Sequence, residues 1–303
     1  MIAVVFRYCH KRGRQSGGDY GSIMTEYPGK TMPGYGRQVT TMMPVLFISH
    51  GPPTILLMDT PVATFLRQLG GQMPSPRAII CISAHWEAVK PTVSSGARTE
   101  IIHDFGGPPQ LFDQIYPAPG SPELAHEATG LLAAAGINTE ENPKRGLDHG
   151  AWVPLKLMFP EADIPAVQLS IQTDKDTSHH FALGKALRPL RQNGVLIIAS
   201  GGAVHNLYDI HGHKINDPPV AYAAAFDQWL REKLTSGQTD QLIDYQKIAP
   251  EPDQSHPFPA EHFLPLFVSL GASLPEENAT IIHQGFMYGT LSMAAYRWDN
   301  NQA

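Results

Sequence analysis

Four short apolar runs punctuate the chain: Val45–Ser49 (VLFIS), residues 78–83 (AIICIS), Ala166–Ile171 (AVQLSI) and residues 195–200 (VLIIAS). Runs of this length, rich in Val, Ile and Leu and lacking strict alternation, are expected of strands covered on both faces in a parallel sheet. Between and after them the pattern turns helical. Ser121 offers an N-cap, Pro122 a first-turn position and Gly136 a stop. A second helix is predicted from Ser178 to near Gly194, kinked or shortened at Pro189. A third runs from near Asp217 to Gly237, and a shorter apolar one covers residues 260–272. The tail over 279–298 reads as one or two strands. Strands separated by helices predict a single α/β domain with a mostly parallel central sheet flanked by helices. Two stretches, 99–122 and 142–160, do not fit this scheme. Both are dense in Gly, Pro and aromatics, and they are expected to be long loops packed over a pocket.

Composition narrows the function classes. The 303 residues are 42% hydrophobic and 17% charged, with a formal net charge of −6, so no overall basic field points to nucleic acid. No apolar stretch reaches the roughly 18 to 20 residues of a membrane helix. The two cysteines, Cys9 and Cys81, form no disulfide framework, and a reducing cytoplasm is the expected compartment. Residues 1–43 are of a different character, rich in Gly and turn formers, with six Lys or Arg against two acids. They are expected to be a disordered or loosely attached extension, with Met42 or Met43 as an alternative start, and the catalytic domain is expected over residues 44–303.

Histidine carries the candidate chemistry. Three predicted strands are followed closely by one: VLFISH gives His50, AIICISAH gives His85 and VLIIASGGAVH gives His205. In an open parallel sheet, ligands bind beyond the carboxyl ends of the strands, so these three side chains should emerge on one edge. His262, in AEHFLPLF, starts a late helix that the fold could bring to the same place. Any one of them alone is more simply a strand-end residue; together they suit a catalytic metal site with open positions. The Gly-rich SGGAVH lacks the spacing of a phosphate-binding turn, and no G-x-S-x-G elbow, H-E-x-x-H helix or cysteine cluster is present. The HGH at residues 211–213 reads as a polar loop.

The motifs FISHGPP, CISAHWE, IHDFGGPPQLFDQIYPAPGSPELA, GLDHGAWVPL, VQLSI, ASGGAVHNL and EHFLPL occur in this order. They resemble the DOPA 4,5-dioxygenase family, a branch of the class III extradiol ring-cleavage dioxygenases related to the catalytic subunit of protocatechuate 4,5-dioxygenase. The resemblance spans residues 44–296. It implies a divalent metal held by His50, His85 and His262: Fe(II) for activity, with Zn(II) able to occupy the same donors. The broader superfamily often places Glu at the late position. Here Glu261 stands beside His262, but the EH pair matches the DOPA branch, where His is the ligand. Glu261 is then expected to be a helix-cap or outer carboxylate. The resemblance makes His205 the acid/base residue, close enough in some relatives to count as a fourth ligand, and gives His149 a contact with substrate or intermediate. His103 and Asp104 are expected to pack or shape the pocket, with Trp86 and Phe105 as ring-packing or core residues. The implied partners are a small catechol and O2, with neither nucleic acid nor membrane. A zinc-dependent hydrolase on the same scaffold is the rival enzyme class, and a non-catalytic binding module the third.

Overall fold

The computed structural model describes residues 42–299. The expectation for the amino-terminal extension therefore lies, up to residue 41, outside the described residues. Met43 already belongs to the fold: its side chain is buried and its N–H donates to the Arg191 carbonyl at 3.0 Å.

The four apolar runs become β1 (Val45–Ser49), β2 (Ala78–Glu87), β5 (Ala166–Ile171) and β6 (Val195–Gly201), the parallel centre of an eight-stranded sheet. Two short strands, β3 (Thr92–Ser94) and β4 (Glu140–Asn142), extend one side. On the other side, β11 (Ala295–Trp298) runs antiparallel to β1 and β8 (Thr280–His283) antiparallel to β11, giving the order β4-β3-β5-β2-β6-β1-β11-β8. A second sheet of three strands joins β7 (Val204–His205), β10 (Leu291–Ser292) and β9 (Phe286–Met287).

Both faces of the central strands are covered, as their unbroken hydrophobicity requires. Val45, Phe47, Ile80, Ile82, Ile197 and Ala199 pack into one core, and Leu46, Ile48, Ile79, Cys81, Leu196 and Ile198 into the other. The first core is closed by α2 (Pro122–Ala134), α4 (Thr177–Leu187), α5 (Ala221–Thr235) and α9 (Leu264–Ala272), the second by α1 (Pro61–Gly71) and α3 (His149–Met158). Three short helices, α6 (Thr239–Ile243), α7 (Tyr245–Ile248) and α8 (Pro252–Ser255), link α5 to the segment before α9.

Local chemistry explains where the elements stop. Ser121 caps α2 as expected, its hydroxyl accepting the Leu124 N–H at 3.1 Å. The next helix starts one residue earlier than predicted because Asp176, not Ser178, takes the capping bond, from His179 N–H at 2.8 Å. Pro189 ends its α-helical part at Leu187, and a tight 3-10 turn follows to Asn193.

Two expectations are overturned in detail. The tail over 279–298 holds four strands, β8 to β11, instead of one or two, because β9 and β10 are only two residues each. The stretch 142–160 is not a loop throughout: residues 149–158 form α3, and nine of its ten residues are buried. A helix apolar on every side lacks the amphipathic period that identifies helices in sequence, and Pro154 and Gly150 mask it further.

Deep in the fold, Arg191 is fully buried. Its guanidinium meets the Glu277 carboxylate at 2.7 and 2.8 Å and donates to the carbonyls of Met43 and Ala272. It thereby ties the entry to β1 to the end of α9. Among the described residues, no helix is long and apolar enough to cross a membrane.

Candidate active site

The carboxyl ends of β1, β2 and β6 open on one edge, and each delivers a histidine. His50 follows β1 directly, His85 sits near the end of β2, and β6 turns through Gly201-Gly202 into β7, which ends at His205. His262 arrives from the segment before α9. Its approach depends on the paired glycines: Gly202 N–H donates to the His262 carbonyl at 2.9 Å, and a Cβ on Gly201 would lie 2.1 Å from that oxygen. The glycines of SGGAVH therefore serve close backbone approach, not phosphate binding.

His50, His85 and His262 meet through their Nε2 atoms, 3.0 Å apart for the first pair and 3.2 Å for His85 with His262. Two of the rings have their Nδ1 atoms engaged behind them. Ser200 donates its only hydroxyl proton to the Gly150 carbonyl at 2.5 Å, so its oxygen accepts Nδ1–H of His50 at 3.0 Å. The Gly150 carbonyl is free for Ser200 because Pro154, four residues on in α3, has no N–H to offer it. Glu261 Oε1 accepts Nδ1–H of His262 at 2.9 Å, which places the neighbouring carboxylate behind the imidazole instead of in its place. Both bonds leave an Nε2 lone pair facing the cluster. Lone pairs this close repel unless an electropositive centre lies among them, and a divalent cation fits that need.

Burial is the first cause holding these imidazoles neutral. It pushes His50 and His262 well below the ordinary histidine value, with the neighbouring histidines adding to the shift. Burial, followed by the electrostatic cost of a second proton beside His149, takes His85 to about 4, and burial, followed by the same cost beside His85, takes His205 to about 3. At neutral pH all four are unprotonated, the form in which imidazole binds a metal or accepts a proton.

His205 stacks on His262, with centroids 3.6 Å apart and planes 7° apart. His149 lies on the other flank, its centroid 3.8 Å from that of His85. The five expected site histidines are thus brought together, and all line a cavity of about 410 Å³ with Pro52, Ile210, Tyr288, Leu291 and Met293. One nitrogen from each of His50, His85 and His149 lies within 4.8 Å of the others, and a nitrogen each of His205 and His262 and a carboxylate oxygen of Glu261 lie equally close together.

Residues given no catalytic part by sequence support this cluster. Asp148 is fully buried, and its carboxylate accepts from Ser83 at 2.6 Å, Arg145 at 2.7 Å and Gln168 at 2.8 Å. It thereby pins the start of α3 to β2 and β5. Gly150 packs so tightly behind β2 that a Cβ there would lie 2.4 Å from Ser83 Oγ and 3.0 Å from His85 Cδ2. Asp104 accepts two bonds from His149; burial works to raise its carboxyl, but those bonds and the electrostatic influence of the adjoining imidazole hold it below the usual value. Arg145, Asp148, His149 and Gly150 lie together in sequence; Ser83, Asp104 and Gln168 come from distant parts of the chain. Trp86 is covered by the Arg145 guanidinium at 4.9 Å, while Phe105 sets its edge against His149 and packs with His103, Phe112 and Trp152. His256, given no role, is buried against Phe263 and bonds the Ala203 carbonyl just ahead of β7.

The family described as the catalytic LigB subunit of aromatic ring-opening dioxygenase matches residues 44–298. A 4,5-DOPA dioxygenase extradiol from Beta vulgaris is 45% identical over 259 residues, spanning 83% of this chain and 95% of that protein. The protein of the same name from Escherichia coli K12 is 41% identical over 258 residues, spanning 84% and 94%. A crystal structure of an uncharacterized protein from Escherichia coli K12 matches with a TM-score of 0.72 at 36% identity, covering 84% of this chain and 99% of that one. The hydrolase alternative finds no support in these matches. Sequence, fold and relatives agree that the chain belongs to the LigB family of aromatic ring-opening dioxygenases and is a metal-dependent oxidoreductase of the extradiol ring-cleaving class.

Proposed function

We propose that the protein opens the ring of a catechol bearing a DOPA-like side chain, breaking a ring bond beside the diol and placing both atoms of O2 in a muconic semialdehyde product. The observation that carries this reading is the meeting of three Nε2 atoms at a sheet edge, beside a cavity of about 410 Å³ with room for an aromatic ring and its side chain. His50, His85 and His262 hold the metal, with iron(II) as the working ion; zinc(II), which binds such donors more tightly, can take its place. When bound, iron(II) supplies the electron transfer that lets dioxygen react with a catechol.

The chain's own residues do the rest. Apolar walls at Pro52, Ile210, Leu291 and Met293 flank a planar ring and exclude water. His205, neutral and stacked on His262, accepts a hydroxyl proton as the catechol binds and returns one as the ring opens. His149 contacts the substrate from the His85 side. Residues 44–303 form the catalytic domain in this reading, and the cytoplasm is the compartment.

The test reconstitutes metal-free protein anaerobically with iron(II), adds L-DOPA and a catechol panel, then admits oxygen. Stoichiometric oxygen uptake and a yellow product are expected with iron and not with zinc. His205→Gln should retain iron and lose turnover. No uptake by the iron-loaded protein with any catechol would refute the reading.

A further inference from the structure

The motif resemblance gives Asp104 only a part in packing or shaping the pocket. The structure gives it a narrower place. One carboxylate oxygen, Oδ1, accepts two hydrogen bonds from a single residue: His149 N–H at 3.1 Å and His149 Nδ1–H at 2.9 Å. Oδ2 looks toward His85, 4.0 Å from its Nδ1. The two partners come from distant parts of the chain. Asp104 lies in a stretch, residues 103–107, with no backbone–backbone hydrogen bond among the described residues. Its carboxylate is therefore a tether between this stretch and the start of α3.

We propose that Asp104 is a positioning residue for ring cleavage: it holds the His149 imidazole as the Nδ1–H tautomer and keeps Nε2 free as an acceptor toward a substrate hydroxyl. This rests on the function proposed above. The backbone bond alone would be ordinary helix capping, since Asp148 at the cap position spends its carboxylate elsewhere. The ring bond goes further. A carboxylate cannot donate, so the shared hydrogen belongs to Nδ1, and Nε2 has no partner within the described protein. A carboxylate behind a histidine that fixes ring orientation and tautomer is a recurring way of preparing imidazole for substrate contact. The adjoining Phe105, edge-on to His149 at 5.5 Å, limits ring rotation on the same side.

Two variants separate tautomer control from capping and from general structure. Asp104→Asn keeps an Oδ1, which the His149 backbone N–H orients toward the ring; Asp104→Ala removes the acceptor. The first readout is nitrogen NMR of zinc-loaded protein carrying 15N-histidine, with His149 assigned by its loss in His149→Gln. Wild type and Asp104→Asn should show a protonated Nδ1 and a bare Nε2; Asp104→Ala should show loss of that pattern. The second readout is steady-state kinetics of the iron-loaded forms. Asp104→Ala should lower kcat about 10- to 100-fold, with KM and iron content little changed, and Asp104→Asn should lose less. A wild-type tautomer in Asp104→Ala would overturn the proposal, as would equal kcat losses in the two variants while Asn keeps the tautomer. The NMR readout needs no turnover, so failure of wild type to cleave catechols would refute the proposed function and leave this test standing.

Discussion

Ser200 is the residue through which the fold sets the state of His50, and replacing it by alanine measures how much that setting is worth. The hydroxyl makes two bonds, accepting from His50 Nδ1–H at 3.0 Å and donating to the Gly150 carbonyl at 2.5 Å. Both groups are buried, and neither has a substitute within the described residues. Leaving a buried donor or acceptor unpaired costs ~1–3 kcal/mol per group. The metal-free variant should therefore be less stable by a few kcal/mol. Its larger consequence is at the metal. Without Ser200 nothing favours Nδ1–H over Nε2–H in His50, and a proton on Nε2 occupies the position the cation needs. Loss of such an outer partner weakens metal binding ~10- to 100-fold, or about 1.4–2.8 kcal/mol. The assay is competition for zinc between metal-free protein and a chromophoric chelator at pH 7.5. Ser269→Ala is the control: its buried hydroxyl bonds the Leu46 carbonyl, remote from the histidines. Unchanged zinc affinity in Ser200→Ala, or an equal loss in Ser269→Ala, would refute the reasoning.

Three other outcomes are expected. Gly150→Ala should cut zinc affinity and turnover more than tenfold while preserving the far-UV circular dichroism, since its Cβ would displace Ser83 and the His85 ring; wild-type affinity would contradict it. Glu277→Gln leaves a buried Arg191 charge uncompensated and should cost ~3–5 kcal/mol, read as a lowered urea midpoint; an unchanged midpoint would sink this. Metal-free protein should lose stability as pH falls. Folded pKa values below the ordinary histidine value mean that the unfolded chain binds the protons, so the stabilisation is complete above about 6.5. It fades as pH falls toward the values of about 4 for His85 and about 3 for His205 and His256. A flat urea midpoint between pH 7 and 4 would contradict that sign.

The sheet edge was legible because strands buried on both faces write themselves as unbroken apolar runs, and a histidine just after such a run stands out. His50, His85 and His205 were found in this way. His262 depended on the motif, since nothing local says that a helix start will reach the same edge. The support behind the rings was mostly hidden. Ser200 reads as the last residue of a strand, and its role needs a carbonyl fifty residues earlier. Asp104 needs a partner forty-five residues later. Helix α3 escaped because uniform burial erased its period, and β3, β4, β7, β9 and β10 are too short to register against turn-rich surroundings. The helix α1 went unread although Thr60 caps it, its hydroxyl accepting the Ala63 N–H at 3.3 Å, and Pro61 opens it.

Pro154 shows how a stabilising change can work against an enzyme. A proline inside a helix ordinarily invites replacement, and alanine there would restore a backbone donor and gain helix propensity. In this chain the restored N–H would converge on the Gly150 oxygen that Ser200 already uses. Selection for thermal tolerance would then reward the substitution while loosening the grip on His50, so the residue that looks like a defect in the helix sets a limit on how rigid α3 can become.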